Sequence, residues 1–160
     1  MARISVGVLT CSDTRAAGGA EDTSGAALIA LAEARGWEVV AYHLIPDDRA
    51  TIEERLVEMA DVNHADVVLT TGGTGLGPRD VCVEATLAVA DREVPGIGEY
   101  IRYRSYAITD RAMLSRGTAA QRGSTLIVNM PGSEKAVRES FGFIENTLEH
   151  AVSMMEGGGH

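Results

Sequence analysis

The chain has 160 residues, 45% of them hydrophobic, which is the size and apolar content of one globular domain with a core of its own. A formal net charge of -9 and an isoelectric point of about 4.8 exclude nucleic-acid backbones and anionic membrane surfaces as general partners, because both would be repelled. An anionic ligand must instead find its positive field locally, in backbone N–H groups, a few arginines or a divalent cation.

Taken in chain order, Ile4, Val6 and Val8 alternate as in a strand. The run follows a single arginine, has no small-residue cleavage site and passes straight into the polar Cys11-Ser12-Asp13-Thr14, so a secretory leader is not expected. Residues 22–35 read as a helix with Leu28, Ile29, Leu31 and Ala32 facing inward, stopped by Gly36. A second strand over 39–45 ends at Pro46-Asp47-Asp48, where either aspartate can cap a helix carrying Ile52, Leu56, Met59 and Ala60. A third strand over 65–71 leads into a glycine-rich loop, and helical spacing resumes over 81–90. Residues 95–116 look helical but irregular, and a last strand over 125–129 ends in Met130-Pro131-Gly132-Ser133. Ser133 is suited to cap a helix running to about residue 155, which leaves residues 157–160 as a flexible tail.

Strands alternating with helices predict an α/β domain with a largely parallel sheet, helices on both faces and ligands beyond the carboxyl ends of the strands. No run approaches the ~20 apolar residues of a membrane span. The two cysteines, Cys11 and Cys82, form neither a disulfide framework nor a zinc motif. A soluble protein of the reducing cytoplasm is the expectation.

The loop over 70–80, TTGGTGLGPRD, brings Gly72, Gly73, Gly75 and Gly77 together, so that backbone N–H groups can crowd round an anion with no Cβ in the way. No Gly-Lys pair makes it a Walker loop, and Asp80 stands where a dinucleotide fingerprint needs its third glycine. Arg79 and Asp80 suit magnesium-phosphate chemistry, but a tight turn with Asp80 as helix cap also accounts for them. Asp47 and Asp48 carry the same ambiguity, one capping and one spare. His43, His64, His150 and His160 have no metal-ligand spacing, and no serine sits in a nucleophile elbow.

The motifs SDT at 12–14, DTSG at 22–25, IPDD at 45–48, TTGGTGLGPRDVCVEAT at 70–86, PGIGEYIR at 95–102, AMLSRG at 112–117 and LIVNMPGSEKAV at 126–137 are more specific in combination. They span nearly the whole chain, in order. Together they resemble the molybdopterin adenylyltransferases, a family that includes the bacterial MogA and MoaB proteins and the G domain of gephyrin and its plant counterpart. The resemblance implies a three-layer α/β/α sandwich over residues 1–156, a homo-trimer or hexamer, and transfer of AMP from Mg-ATP to the terminal phosphate of molybdopterin. The adenylylated product would pass to a downstream molybdenum insertase.

On the same resemblance Asp47 and Asp80 are the essential aspartates and the Mg²⁺ ligands. Ser12, Asp13, Gly72, Gly73, Thr74, Gly75 and Arg79 would contact the nucleotide phosphates, and Ser115, Arg116, Asn129, Pro131, Gly132 and Ser133 would line the molybdopterin site. The alternative is a non-catalytic molybdopterin-binding or assembly protein of the same fold. Two departures stand out: Cys82-Val83-Glu84-Ala85 where the family commonly has Thr-Pro-Glu-Ala, and Glu134 where it commonly has proline.

Overall fold

The computed structural model describes residues 3–159. In chain order the elements are β1 (Ser5–Cys11), α1 (Asp13–Ala16), α2 (Thr23–Ala34), β2 (Glu38–Ile45), α3 (Arg49–Asp61), β3 (Val67–Thr71), α4 (Cys82–Val89), β4 (Arg92–Glu93) and α5 (Pro95–Tyr106). A short 3-10 helix (Asp110–Leu114), β5 (Ala119–Arg122), β6 (Thr125–Met130) and α6 (Glu134–Met155) complete them.

The strands form one sheet in the order β2-β1-β3-β6-β5-β4. β2, β1, β3 and β6 run parallel, and at the edge beyond β6 come β5, antiparallel to β6, and β4, antiparallel to β5. Neither β4 nor β5 is expected from the sequence. They have two and four residues, too few for an alternation to register. The missed signal is the Gly123-Ser124 pair between Arg122 and Thr125, which face each other across a tight hairpin with Gly123 at φ 54°.

The parallel strands are covered on both faces, so they read as apolar runs whose alternate residues enter different cores. Val6 and Val8 of β1 join Val67, Leu69, Val128 and the fully buried Phe141 beneath α2 and α6. Leu9 and Cys11 join Ile52, Leu56, Met59, Val68 and Ile127 beneath α3 and α4. Each such Leu or Ile withdraws apolar surface worth roughly 1.5–3 kcal/mol, which is what presses the helices onto the sheet. The expected three-layer sandwich is therefore present, on a mixed sheet.

Ser133 caps α6 by accepting the N–H of Ala136 at 3.2 Å. At the far end Gly157 takes φ 88°, its N–H reaches Met154 O at 3.0 Å, and the N–H of Gly158 reaches Ser153 O at 2.9 Å. These two bonds close the helix as a Schellman motif. Of the four residues read as a tail, the first two thus belong to the helix end, and His160 lies outside the described residues.

The chain leaves β1 toward β2 on one side and later returns to place β3 on the other. β1 is consequently the point where the strand order reverses, and the connections after β1 and β3 diverge to open a crevice at their carboxyl ends. The pairing Cys11↔Ile45 sets Ser12-Asp13 beside Pro46-Asp47, and the pairing Thr10↔Thr71 brings the glycine loop to the same edge.

Candidate active site: a carboxylate crevice and an arginine cleft

Asp13 and Asp47 hold each other by reciprocal bonds. Asp13 Oδ1 accepts the N–H of Asp47 and Asp47 Oδ2 accepts the N–H of Asp13, each at 3.0 Å. Arg79 forks onto Asp13, Nε to Oδ2 and Nη2 to Oδ1, both at 3.0 Å, which holds the Asp13 carboxyl below its usual range. Asp47 behaves oppositely. Burial pushes its carboxyl up; the Asp13 N–H opposes this in part, and the negative charges of Asp13 and Asp80 add to it. Its Oδ1 is buried with no hydrogen-bond partner.

The ambiguity at Asp47-Asp48 is settled by geometry. Asp48 is the cap of α3, taking the Thr51 N–H at 3.0 Å and the Thr51 hydroxyl at 2.6 Å, so Asp47 is the spare carboxylate. The alternative offered for Asp80 is corrected: α4 is capped by Val81 with no side-chain bond. Asp80 instead folds back on its own loop, Oδ2 accepting the Gly77 N–H at 2.8 Å.

The loop lies hard against β1. Gly72 has φ 94°, and a Cβ there would stand 2.3 Å from the carbonyl oxygen of Cys11. Thr71 Oγ1 donates to Pro131 O at 2.6 Å, and Gly132 lies close enough to the loop that an added Cβ would stand 3.5 Å from Gly72 Cα, which joins the end of β6 to the crevice. Cys11 and Cys82 are free, buried and 3.9 Å apart beneath the loop, in keeping with small core residues.

Arg116, expected on molybdopterin, has other partners. Its Nε donates to Gly75 O at 2.9 Å, its Nη2 to Asp80 O at 3.0 Å, and both terminal nitrogens meet the Glu84 carboxylate. The physical reason is position: its own N–H bonds to Thr74 O at 2.9 Å, so its side chain has only to reach across the glycine loop to α4. Arg116→Ala is expected to lower stability by about 1–2 kcal/mol and to speed amide exchange in residues 75–80, which exchange mass spectrometry would read.

Next to the loop a cleft of about 200 Å³ opens between α5, the 3-10 helix and the end of β6, with Thr74, Ser115, Asn129 and Pro131 on its walls. α5 sits directly on the start of β5 because Gly98 has no side chain; a Cβ there would lie 2.3 Å from Gly117 O. Asn129, only 3% exposed, donates to the Thr70 and Thr86 hydroxyls at 3.0 Å each and accepts the Thr118 N–H at 3.2 Å, so its amide is fully engaged inside the protein.

The expected site residues therefore fall into two adjoining groups. Ser12, Asp13, Asp47, Arg79, Asp80 and the loop glycines surround the crevice, with Ser12 itself capping α1. Ser115, Asn129 and Pro131 reach the cleft, and Thr74 joins the two. Gly132 and Ser133 are not among the cleft-lining residues; one packs on Gly72 and the other caps α6. Four polar cleft residues, Arg102, Ser105, Thr109 and Arg111, carry no site role in the sequence expectations, although Arg102 closes the PGIGEYIR motif. The available signal was the spacing of Gly98, Ile101, Arg102 and Ser105, which places them on one face of a helix.

Among the described residues no group of three or more His, Cys, Asp or Glu side chains forms a metal cage. Mg²⁺ does not require one, since it is commonly held by one or two carboxylates together with water and substrate phosphates. The orphaned Oδ1 of Asp47, with Asp80 near enough to raise its proton affinity, fits that requirement.

Fold and site define an α/β protein with a carboxylate-lined glycine-loop crevice at the switch point of its sheet. The chain belongs to the family described as the probable molybdopterin binding domain, which matches residues 7–150. It is 36% identical over 159 residues to a molybdopterin adenylyltransferase of Helicobacter pylori, covering 98% of this chain and 90% of that protein. It is 43% identical over 156 residues to the molybdenum cofactor synthesis protein cinnamon of Drosophila melanogaster, covering 97% of this chain but only 26% of cinnamon's length. Among solved structures, the molybdopterin biosynthesis enzyme MoaB of Thermus thermophilus superimposes with a TM-score of 0.90 at 44% identity, covering 96% of this chain and 97% of that one. No helix among the described residues is long and apolar enough to cross a membrane.

Proposed function

We propose that this protein is a molybdopterin adenylyltransferase of molybdenum cofactor biosynthesis. An oxygen of the molybdopterin phosphate attacks the α-phosphorus of ATP, a new P–O–P bond forms, the α–β bond breaks and pyrophosphate leaves. The observation that carries this reading is the buried, unpartnered Oδ1 of Asp47 in a crevice shared with Asp80 and the glycine loop. The nucleophile is an ionised phosphate, so no strong base is needed; the demand is to bring two anions together on a protein of net charge -9.

In this account the loop N–H groups receive the nucleotide phosphates, and Arg79, anchored on Asp13, stands at the rim as an exposed cation. Asp47 and Asp80 would hold Mg²⁺, which when bound neutralises phosphate charge and polarises the reacting phosphorus. Arg116 keeps the loop in shape through Gly75, Asp80 and Glu84. The cleft through Thr74 receives the pterin. ATP labelled at the α-phosphate should transfer label to molybdopterin, while γ-labelled ATP should release labelled pyrophosphate. Label reaching the pterin from the γ-position would mean phosphoryl transfer and overturn the proposal.

Self-association as a homo-trimer or hexamer in the cytoplasm belongs to the same reading. It is supported by a run of exposed apolar side chains, Tyr103 at 76% exposure with Tyr106, Ile108, Met113 and Leu114, on the outer side of α5 and the 3-10 helix. Sedimentation should return three or six times the 16.9 kDa chain mass, and a monomer at micromolar concentration would refute it.

A further inference from the structure

The cleft beside the glycine loop has a charge pattern unlike the rest of the chain. The protein carries 23 acidic against 14 basic residues, yet the cleft is lined by two arginines, Arg102 and Arg111, and by no carboxylate. The two differ in their commitments. Arg102 is a wall: its Nη1 donates to the carbonyl oxygens of Gly117 and Ser115, which ties α5 to the segment entering β5. Arg111 is anchored only through its backbone, its N–H donating to Thr109 Oγ1 at 3.3 Å, and its guanidinium enters no ion pair among the described residues.

Arg111 is exposed and lines a cleft that no carboxylate lines, so its guanidinium is within reach of an anion on the ligand. Thr109 and Ser115, which flank it on the same wall, supply hydroxyls for the remaining ligand oxygens. Arg111 projects from the 3-10 helix, while the crevice carboxylates are reached through Thr74 of the glycine loop. The unpaired cation of the cleft and the crevice carboxylates thus belong to different elements.

We infer that Arg111 is a specificity-determining residue for the pterin substrate, its guanidinium pairing with an anionic group of molybdopterin while taking no part in the transfer itself. The anionic group is the phosphate monoester or the dithiolene thiolates. The inference rests on the adenylyltransferase reading for the identity of the ligand. Arg111 lies outside both hydrophobic cores, so its replacement leaves the fold intact.

The test measures molybdopterin dissociation constants by anaerobic equilibrium dialysis for wild type, Arg111→Ala, Arg111→Lys and Arg111→Glu, alongside kcat and the KM for ATP. The expected result is about tenfold weaker molybdopterin binding in Arg111→Ala, a larger loss in Arg111→Glu and recovery of most of the affinity in Arg111→Lys. The kcat and the KM for ATP should stay within about twofold of wild type, a split that a general structural defect would not give. Repeating the dialysis with dephosphorylated pterin assigns the contact. A defect that vanishes places Arg111 on the phosphate, and one that persists places it on the thiolates. Equal affinity in wild type and Arg111→Glu overturns the inference while leaving the transferase reading untouched. Wild-type protein that binds molybdopterin but forms no product overturns the transferase reading, and the Arg111 affinities still decide the inference. Wild-type protein that binds no molybdopterin overturns both.

Discussion

Asp47→Asn is expected to lower adenylyl transfer by about 10³-fold while making the folded protein slightly more stable, since a site that preorganises charge for a transition state commonly carries effects of that size. The stability half follows from linkage. Burial raises the Asp47 pKa in the folded chain above the ordinary 3.8, so between those two values the native state binds more protons than the unfolded one. Stability therefore falls as pH rises through that window, and at neutral pH the ionised carboxylate is a standing cost. Asparagine removes the charge, and its carbonyl oxygen can still accept the Asp13 N–H that Asp47 Oδ2 takes now. Thermal melts from pH 4 to 8 should show the wild type losing ground to Asp47→Asn as pH rises. A variant that melts lower than wild type at pH 7 would refute the assignment of Asp47 as a strained functional carboxylate. Asp80→Asn should lose activity comparably. It should not gain stability in the same way, because Asp80 Oδ2 braces its own loop through the Gly77 N–H.

Gly72→Ala should be the most damaging single methyl in the site. The added Cβ meets the Cys11 carbonyl oxygen at 2.3 Å, and the residue must keep φ 94°. Both obstacles are backbone, so no side chain can swing aside. Left-handed strain together with the separation of β1 from the loop should cost about 3 kcal/mol, a fall of roughly 6–12 °C in Tm for a domain of this length. Activity should fall further than stability, because the same shift widens the crevice between Asp47 and the loop. Gly142→Ala is the matching control. It lies within α6 with nothing within 4 Å of an added Cβ, and it should stabilise by about 0.5–1 kcal/mol. Equal melting temperatures for the two variants would show that the close approach at Gly72 is not a constraint.

Legibility in the sequence followed the strength of local pattern. The four parallel strands and their helices are long enough for alternation and helical spacing to register, and Gly36, Asp48 and Ser133 mark boundaries by chemistry that holds in the structure. The crevice was legible too, because Asp13, Asp47 and the glycine loop each follow directly on a parallel strand. Which aspartate caps was not legible. Asp47 and Asp48 differ only in which way the chain turns after Pro46, and that is fixed by the bonds Asp47 makes to Asp13, 34 positions away.

The cleft was hidden for a different reason. Arg102 and Arg111 come from a helix and a 3-10 turn whose outer side is also apolar, so the segment shows no clean polar face. Arg116 illustrates the converse. Beside the ligand role implied by its SRG motif, the fold brings Gly75, Asp80 and Glu84 within its reach, contacts that no sequence spacing carries.

On the proposed reading, the crevice of Asp47, Asp80 and the glycine loop carries out adenylyl transfer to a pterin held in the adjoining cleft. Purified protein incubated anaerobically with molybdopterin, Mg²⁺ and ATP tests it most directly. The wild type should form pyrophosphate and adenylylated pterin in equal amounts, and Asp47→Asn about a thousandfold less of both although that variant still binds the pterin. Tight pterin binding by the wild type with no pyrophosphate released would contradict it and leave a binding protein in place of an enzyme.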